Sequence, residues 1–418
     1  MPETTPAPEG IAHLRGLLTI LAAAMVVDTA AYSAVTPLLP QFVATYSLSP
    51  AGAGLLAAAY PVGTVALALP AAWLVSRVGP KRVTVMALCL LGVASLGFAL
   101  ATSAPLLAAA RLLQGAGAAG VWAAALAWAI AVAPLGRRSE VIGTLTGAAI
   151  IGAVGGPVLG SLGDWLGVRA VFLAFVAVPA VLTALVLRHD RPPVVQRSGS
   201  LGALRLAWRD GRVRLGGWLM VVPSVGFGVL TLLVPLRLDA RGWAVSAIGA
   251  VFLVTAIVEG LASPVAGRAG DRHGARSPAW IALLAAGAGL FAMAPWGGTG
   301  SAGGWVIAAL VPLTGVVLGA LWTPAMTLLP HGAEDSGIDP AFGFGGANLS
   351  WGLGAGAGAL AAGAMTQLVG DWSAFASVGA VALVSALAVR RSAVRGSSAL
   401  AGVRTGRLRG AAGPGRAR

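Results

Sequence analysis

Twelve runs of about twenty apolar residues, parted by short polar segments, constrain this chain more than any other feature. They fall at about 15–38, 52–75, 83–103, 105–132, 141–162, 168–187, 216–236, 244–266, 278–296, 303–329, 341–366 and 372–389. Lipid offers backbone N–H and C=O groups no partner, so each run must satisfy its own by folding as a helix. Only 10% of the 418 residues are charged, and mean hydropathy is +0.85. A water-facing surface cannot be assembled from that composition. The expected fold is all-α and integral to a membrane, with twelve spanning helices.

The formal charge of +14 points to topology rather than to nucleic acid. All Lys and Arg except Arg111, Arg169, Arg237 and Arg241 lie in the tails or in loops after even-numbered spans. Arg111 falls inside span 4, and the other three are expected in loops on the opposite side. The positive-inside rule then places both termini in the cytoplasm, across a cell (plasma) membrane. The basic stretch from Arg390 to Arg418 is also suited to contact with anionic membrane lipid. The start, MPETTPAPEG, is polar and Pro-rich, without the pattern of a cleavable signal, and is expected to form a short disordered tail. Cys89 lies alone in an apolar run, where a small buried filler is expected.

Residues 188–215 form the longest polar stretch and part the first six spans from the last six. The expected organisation is a tail (1–14), a six-helix bundle (15–187), a linker (188–215), a second bundle (216–389) and a basic tail (390–418). Internal echoes support two related halves. Arg77-Val-Gly79-Pro-Lys81 recurs as Arg272-His-Gly274-Ala-Arg276. Gly143, Gly152 and Gly156 recur as Gly343, Gly352 and Gly356, an offset of 200 residues. Gly-Asp-Trp at 163–165 recurs at 370–372.

Four motifs stand on this frame. The loop after span 2 carries Ala72, Ser76, Arg77, Gly79 and Lys81, and the loop after span 8 carries Gly267, Asp271, Arg272, Gly274 and Arg276. Span 4 reads Arg111-LL-Gln114-Gly115-Ala-Gly117-Ala-Ala-Gly120. Span 5 reads Gly143-x8-Gly152-x3-Gly156-Pro157-x2-Gly160, with Gly152 and Gly156 on one face, as close helix contact requires. Span 1 places Asp28 at mid-depth, with Tyr32 one turn on and Pro37-LL-Pro40 beyond.

Together these resemble the major facilitator superfamily, in particular its twelve-helix drug:proton antiporters. The resemblance covers nearly the whole chain and implies two pseudo-symmetric six-helix bundles. It implies a cytoplasmic gate at Ser76, Arg77, Gly79, Gly267, Asp271, Arg272 and Gly274; the first copy departs from the family pattern, with Ser76 at the acidic position and Ala72 at the leading glycine. For span 5, with Ser161 at the motif's last glycine, it implies export in exchange for protons. For Arg111 it implies proton coupling or substrate binding, the alternative being a side chain that snorkels to the surface.

Asp28 and Glu259 are the only acids placed deep in the spans, one in each half, and an ionisable group at that depth is a functional candidate. The alternative for Glu259 is a structural pair with an interior donor. Asp28, Glu259 and Arg111 are the candidates for proton coupling. Asp28, Tyr32, Arg111, Gln114, Trp122, Phe227, Glu259, Trp322, Asn348 and Trp351 are the candidates for binding a small-molecule substrate. Trp122 follows Arg111 by almost three full turns, so the two share a face. An enzyme is not expected: His13, His189, His273 and His331 sit near helix ends, and no HExxH, GxSxG or P-loop segment occurs. The reading is a monomeric, proton-driven exporter of a drug-like, lipophilic or cationic compound, with no cofactor and no metal. A sugar or metabolite carrier of the same fold is the alternative, and a non-transporting sensor a more distant one.

Overall fold

The structure is a computed structural model describing residues 8–134, 137–190, 208–273, 276–298, 300–335 and 340–411. Its helices are α1 (Pro8–Ser33), α2 (Val35–Tyr46), α3 (Pro50–Val78), α4 (Pro80–Leu100), α5 (Ala104–Val132), α6 (Arg138–Leu166) and α7 (Val168–Leu187). After the linker come α8 (Gly211–Asp239), α9 (Val245–His273), α10 (Arg276–Met293), α11 (Ser301–Ala320), α12 (Trp322–Asp335), α13 (Pro340–Leu368) and α14 (Asp371–Ala411). The first helix begins at Pro8, earlier than the expected tail allows, since proline fits a first helical turn without losing a needed donor.

Two pairs form single broken rods where continuous runs were expected, each interrupted four residues before a proline. Pro37 has no N–H to offer the carbonyl four residues back, and α1 ends at that residue, Ser33. Pro324 does the same for Ala320, the last residue of α11. Counting each pair once leaves twelve rods, the number the apolar runs predict. Ten are long and apolar enough to cross a membrane by length and composition. The others are α10, whose apolar part Pro278–Met293 is shorter, and α13, whose hydropathy is lowered by its glycines and by Asn348 and Ser350.

The surface fits a lipid environment. Leu55, Met86, Val93, Ile151, Leu261, Leu313 and Val384 all point outward, far more exposed apolar area than a soluble monomer carries. Cys89 also lies on this outer face. The expectation of a buried filler was wrong because, in lipid, both faces of a helix are apolar and hydrophobic neighbours do not distinguish them.

The halves repeat one packing scheme. Helix α6 packs on α1 as α13 packs on α8; α4 packs on α7 as α10 packs on α14; α3 packs on α5 as α9 packs on α11. Between halves, α3 lies along α13 and α6 along α9, contacts that interchange when the halves are swapped. At the end away from the linker, called here the far end, a Cβ on Gly54 would lie 3.0 Å from the Gly363 Cα, and the Ala51 N–H donates to Gln367 Oε1 at 3.3 Å.

The Gly-Asp-Trp echo has a structural meaning. Asp164 accepts from Gln41 Nε2 at 2.8 Å, and Asp371 accepts from Arg237 Nε at 2.5 Å. Each acid therefore ties down the far end of its half's first rod. The accompanying Trp165 and Trp372 are exposed, where indoles anchor helices at a membrane interface.

Arg237 was expected in a loop but is a buried residue in the last turns of α8. It also donates to the carbonyls of Met293 and Ala294, and its guanidinium lies 4.3 Å from the Phe375 ring centre. Asp371→Asn should therefore lower stability by about 2–3 kcal/mol, since it leaves a buried guanidinium without its counter-charge. The exposed Asp164→Asn should cost under about 1 kcal/mol. Thermal unfolding of the two purified variants checks this, and equal shifts would contradict it.

Candidate functional site

Asp28 sits in the middle of the first rod and is almost fully buried, 1% exposed. Tyr60 of α3 donates its hydroxyl to Oδ1 at 2.8 Å, and Trp122 of α5 donates Nε1–H to Oδ2 at 3.1 Å. Both carboxylate oxygens are thus held by neutral donors from two other helices. Tyr60 was not among the expected site residues, because a tyrosine within an apolar run gives no signal of which helix it faces.

Arg111 is buried one layer away and makes no ion pair with Asp28. Its Nη1 donates to the Ala31 carbonyl at 3.3 Å and to Gln114 Oε1 at 3.0 Å, and its Nη2 to the Tyr32 carbonyl at 3.3 Å. Gln114 in turn donates to Ser95 Oγ at 3.1 Å. Those Ala31 and Tyr32 carbonyls lie just before the α1–α2 break. The guanidinium lies 4.8 Å from the Tyr60 ring centre and 5.6 Å from that of Tyr32, within cation–π range. Arg111 therefore does not snorkel outward. As the spacing predicted, it and Trp122 reach the same neighbour, the first rod.

Aromatic rings close this cluster across the two halves. Tyr32 and Tyr60 have centroids 4.7 Å apart, and Trp351 of α13 meets them edge-on at 5.4 Å and 6.2 Å. Six expected residues (Asp28, Tyr32, Arg111, Gln114, Trp122 and Trp351) therefore meet in one connected group with Tyr60.

The remaining expected residues belong to the second half. Phe227 of α8 stacks on Trp322 at 4.9 Å and 29°. Glu259 of α9 packs against Gly319 of α11, where an added Cβ would lie 2.4 Å from Oε1. Asn348 is 8% exposed, and neither its Nδ2 nor Trp322 Nε1 has a hydrogen-bond partner among the described residues.

The glycines of α6 seat the helix that carries Asp28. An added Cβ at Gly152 would lie 2.3 Å from the Val26 carbonyl oxygen, at Gly156 1.9 Å from Ser33 Oγ, and at Gly160 2.1 Å from the Ala34 carbonyl oxygen. Gly143 meets nothing within 4 Å and takes no part in the seam. Pro157 is carried inside α6. In the second half the matching contacts are made by Gly354 and Gly358, which face the carbonyls of Val221 and Val225 at 2.4 Å and 2.3 Å. They stand 202 residues after Gly152 and Gly156, so the offset of 200 mispaired the halves. Gly352 and Gly356 instead face α3 of the other half, at Pro61.

At the expected gate, Ser76 Oγ donates to the Trp73 carbonyl of its own helix at 2.7 Å, and Arg77 lies over the Trp73 ring at 5.6 Å. Gly79 takes φ 87° between α3 and α4, a left-handed value that glycine adopts freely. Lys81 Nζ donates to the carbonyls of Leu187, at 3.0 Å, and His189, tying this loop to the end of α7. Gly267 approaches Thr323, and Arg272 is exposed. Asp271 lies in α9 with its side chain outside the described residues, and Gly274 lies outside them altogether.

Two six-helix halves related by a repeat, with charged and aromatic residues buried where they meet, define a membrane transporter. The Major Facilitator Superfamily profile matches residues 21–338 and again residues 221–408. The chain belongs to this superfamily.

It is 31% identical over 188 residues to the protein named uncharacterized MFS-type transporter YhhS of Escherichia coli (strain K12), covering 42% of this chain and 44% of that one. It is 28% identical over 213 residues to multidrug resistance protein Stp of Mycobacterium tuberculosis, covering 50% of this chain and 36% of that one. The match thus spans less than half the length of these relatives. Among solved structures, a bacterial homologue of the human lysosomal transporter Spinster superposes with a TM-score of 0.70 at 17% identity, over 94% of this chain and 98% of the other. A D-xylose-proton symporter superposes with a TM-score of 0.71 at 16% identity, over 91% and 97%.

Proposed function

We propose that this transporter exports a small lipophilic or cationic compound in exchange for protons. The observation that carries the reading is Asp28: a carboxyl group at mid-span, buried, and held by two neutral donors instead of an arginine. A permanent ion pair would fix its charge, whereas neutral donors serve either protonation state. The Gly152–Gly156–Gly160 seam places the same helix against α6. The likeness to a multidrug resistance protein agrees with export.

In this cycle a proton arriving from outside neutralises the acid and favours release of cargo. Each charge moved inward gains about 2.3 kcal/mol per 100 mV of membrane potential. The halves rock about the central residues to alternate access. The test is reconstitution into vesicles with an imposed pH gradient, following a lipophilic cation such as ethidium. Uphill movement that stops when nigericin collapses the gradient is expected. Transport indifferent to the gradient overturns proton coupling. The fold likeness to a D-xylose-proton symporter favours a second reading, symport of a sugar; sugar-driven proton uptake in the same direction as the sugar would establish it.

The reading places the linker and both termini in the cytoplasm of a cell whose plasma membrane holds the protein, active as a monomer. A cysteine at Ser198, a linker position outside the described residues, is expected to react with membrane-impermeant maleimide only after the cells are opened. A cysteine at Ser301, which begins α11 at the far end, is expected to react in intact cells. The reverse pattern overturns the orientation.

A further inference from the structure

The two mid-span carboxylates differ in one respect that decides what each can hold. Asp28 has both oxygens filled by the protein, from Tyr60 and Trp122. Glu259 makes no side-chain hydrogen bond or ion pair with any described residue. It is partly exposed, so the carboxylate is open to a ligand. Its position follows from the seam between α9 and α11. Thr255 and Glu259, one turn apart on α9, enter notches left by Gly315 and Gly319, one turn apart on α11. An added Cβ at Gly319 would lie 2.5 Å from both Cγ and Cδ of Glu259, so any other residue there would evict the carboxylate. Thr255 satisfies its hydroxyl on the Val251 carbonyl at 2.7 Å; Glu259 has nothing comparable.

Three residues beyond Gly319, on a neighbouring face of the same rod, stands Trp322, with the Phe227 ring stacked on it and its buried indole N–H without an acceptor among the described residues. An unpaired carboxylate in a span is disfavoured by several kcal/mol, and a cation brought by a ligand removes that cost. Aromatic faces attract cations and pack apolar substituents.

We propose that Glu259, held in the Gly319 notch of the rod that also carries Trp322, is the carboxylate that meets the positive centre of a lipophilic organic cation, while Asp28 is occupied by the protein itself. This rests on the export reading and assigns its cargo contact to the second half. Gly319 is then a specificity-determining residue, because it sets where the carboxylate stands.

The test uses the purified full chain in lipid nanodiscs with two probes, tetraphenylphosphonium and the uncharged triphenylphosphine oxide. Glu259→Gln should weaken tetraphenylphosphonium binding at least ~10-fold, a loss of about 1.4 kcal/mol, and leave the neutral probe within about twofold. Gly319→Ala keeps the acid but displaces it, and should weaken the cation similarly; it also decides the question if Glu259→Gln fails to fold. Wild-type affinity for the cation in both variants overturns the proposal, as does cation binding lost in Asp28→Asn and kept in Glu259→Gln. If wild type exports tetraphenylphosphonium against a proton gradient while Glu259→Gln binds it normally, only this inference falls. If wild type neither binds nor exports it, the cationic cargo falls as well.

Discussion

Gly156→Leu should lower uphill transport at least ~100-fold while the protein still reaches the membrane. The first side-chain carbon alone would lie 1.9 Å from Ser33 Oγ, 2.7 Å from the Ala30 carbonyl oxygen and 2.9 Å from the Ala34 nitrogen; the hydroxyl can rotate away, but the backbone atoms cannot retreat without moving the first rod. Overpacking of this kind costs about 1–3 kcal/mol, and a displacement of about 1 Å in a positioned group is enough for a hundredfold loss. The displaced helix carries Asp28, whose bonds to Tyr60 and Trp122 depend on its seat. The control comes from the same motif. Gly143 meets nothing within 4 Å, so Gly143→Leu should keep transport within about threefold of wild type. Similar transport rates for the two variants, measured in vesicles at matched protein, would mean the close contact is incidental.

Asp28→Asn should abolish gradient-driven transport and leave the fold intact. The reason lies in the chemistry of its two partners. Trp122 Nε1 can only donate, so the asparagine carbonyl oxygen must turn to it. The amide NH2 then faces the Tyr60 hydroxyl, which can accept as readily as it donates. Both hydrogen bonds survive, and what is lost is the ability to take up and release a proton. Substrate-induced proton release from purified protein should disappear, with thermal unfolding little changed. Unaltered proton release in Asp28→Asn would remove it as the coupling acid and pass the role to Glu259. Tyr60→Phe, which strips one donor but leaves the carboxyl, should retain coupling with altered pH dependence.

Much of the architecture was legible because a bilayer imposes a length that a sequence must respect, and twelve apolar runs became twelve rods. The interruptions were not legible: the first and tenth runs read as continuous, and Pro61, Pro157 and Pro223, carried inside unbroken helices, show that a proline alone does not mark a break. The interior was harder, for a physical reason. In water, polarity separates inside from outside; in lipid it does not, so Cys89 was assigned to the wrong side and Tyr60 went unnoticed. Depth alone picked out Asp28, Arg111 and Glu259, because a charge in a span needs a reason to be there. Which of them pair could not be read, since that depends on helix rotation. Arg111 stands near Asp28 yet bonds to backbone carbonyls and Gln114. Glycine spacing marked α6 as a close-packing helix but not the Asp28 helix as its partner, and its offset ran two residues short in the other half.

The two Gly-Asp-Trp ties are built from the same three residue types and differ greatly in grip. In the first half, a half-buried Gln41 holds an exposed Asp164 with a single bond. In the second, Arg237 is clamped by a carboxylate, two carbonyls and a ring, and Arg241 adds bonds to the carbonyls of Arg237, Trp296 and Gly300. Mechanical compliance is therefore distributed unevenly between halves that share one scheme of packing. The first half is held at the far end by fewer bonds than the second, and the corner where α1 meets α2 lies in that more weakly held half. That corner is a few residues from Asp28, beside the carbonyls held by Arg111. The break and the buried acid lie on the same rod, so any bend at the one would displace the other.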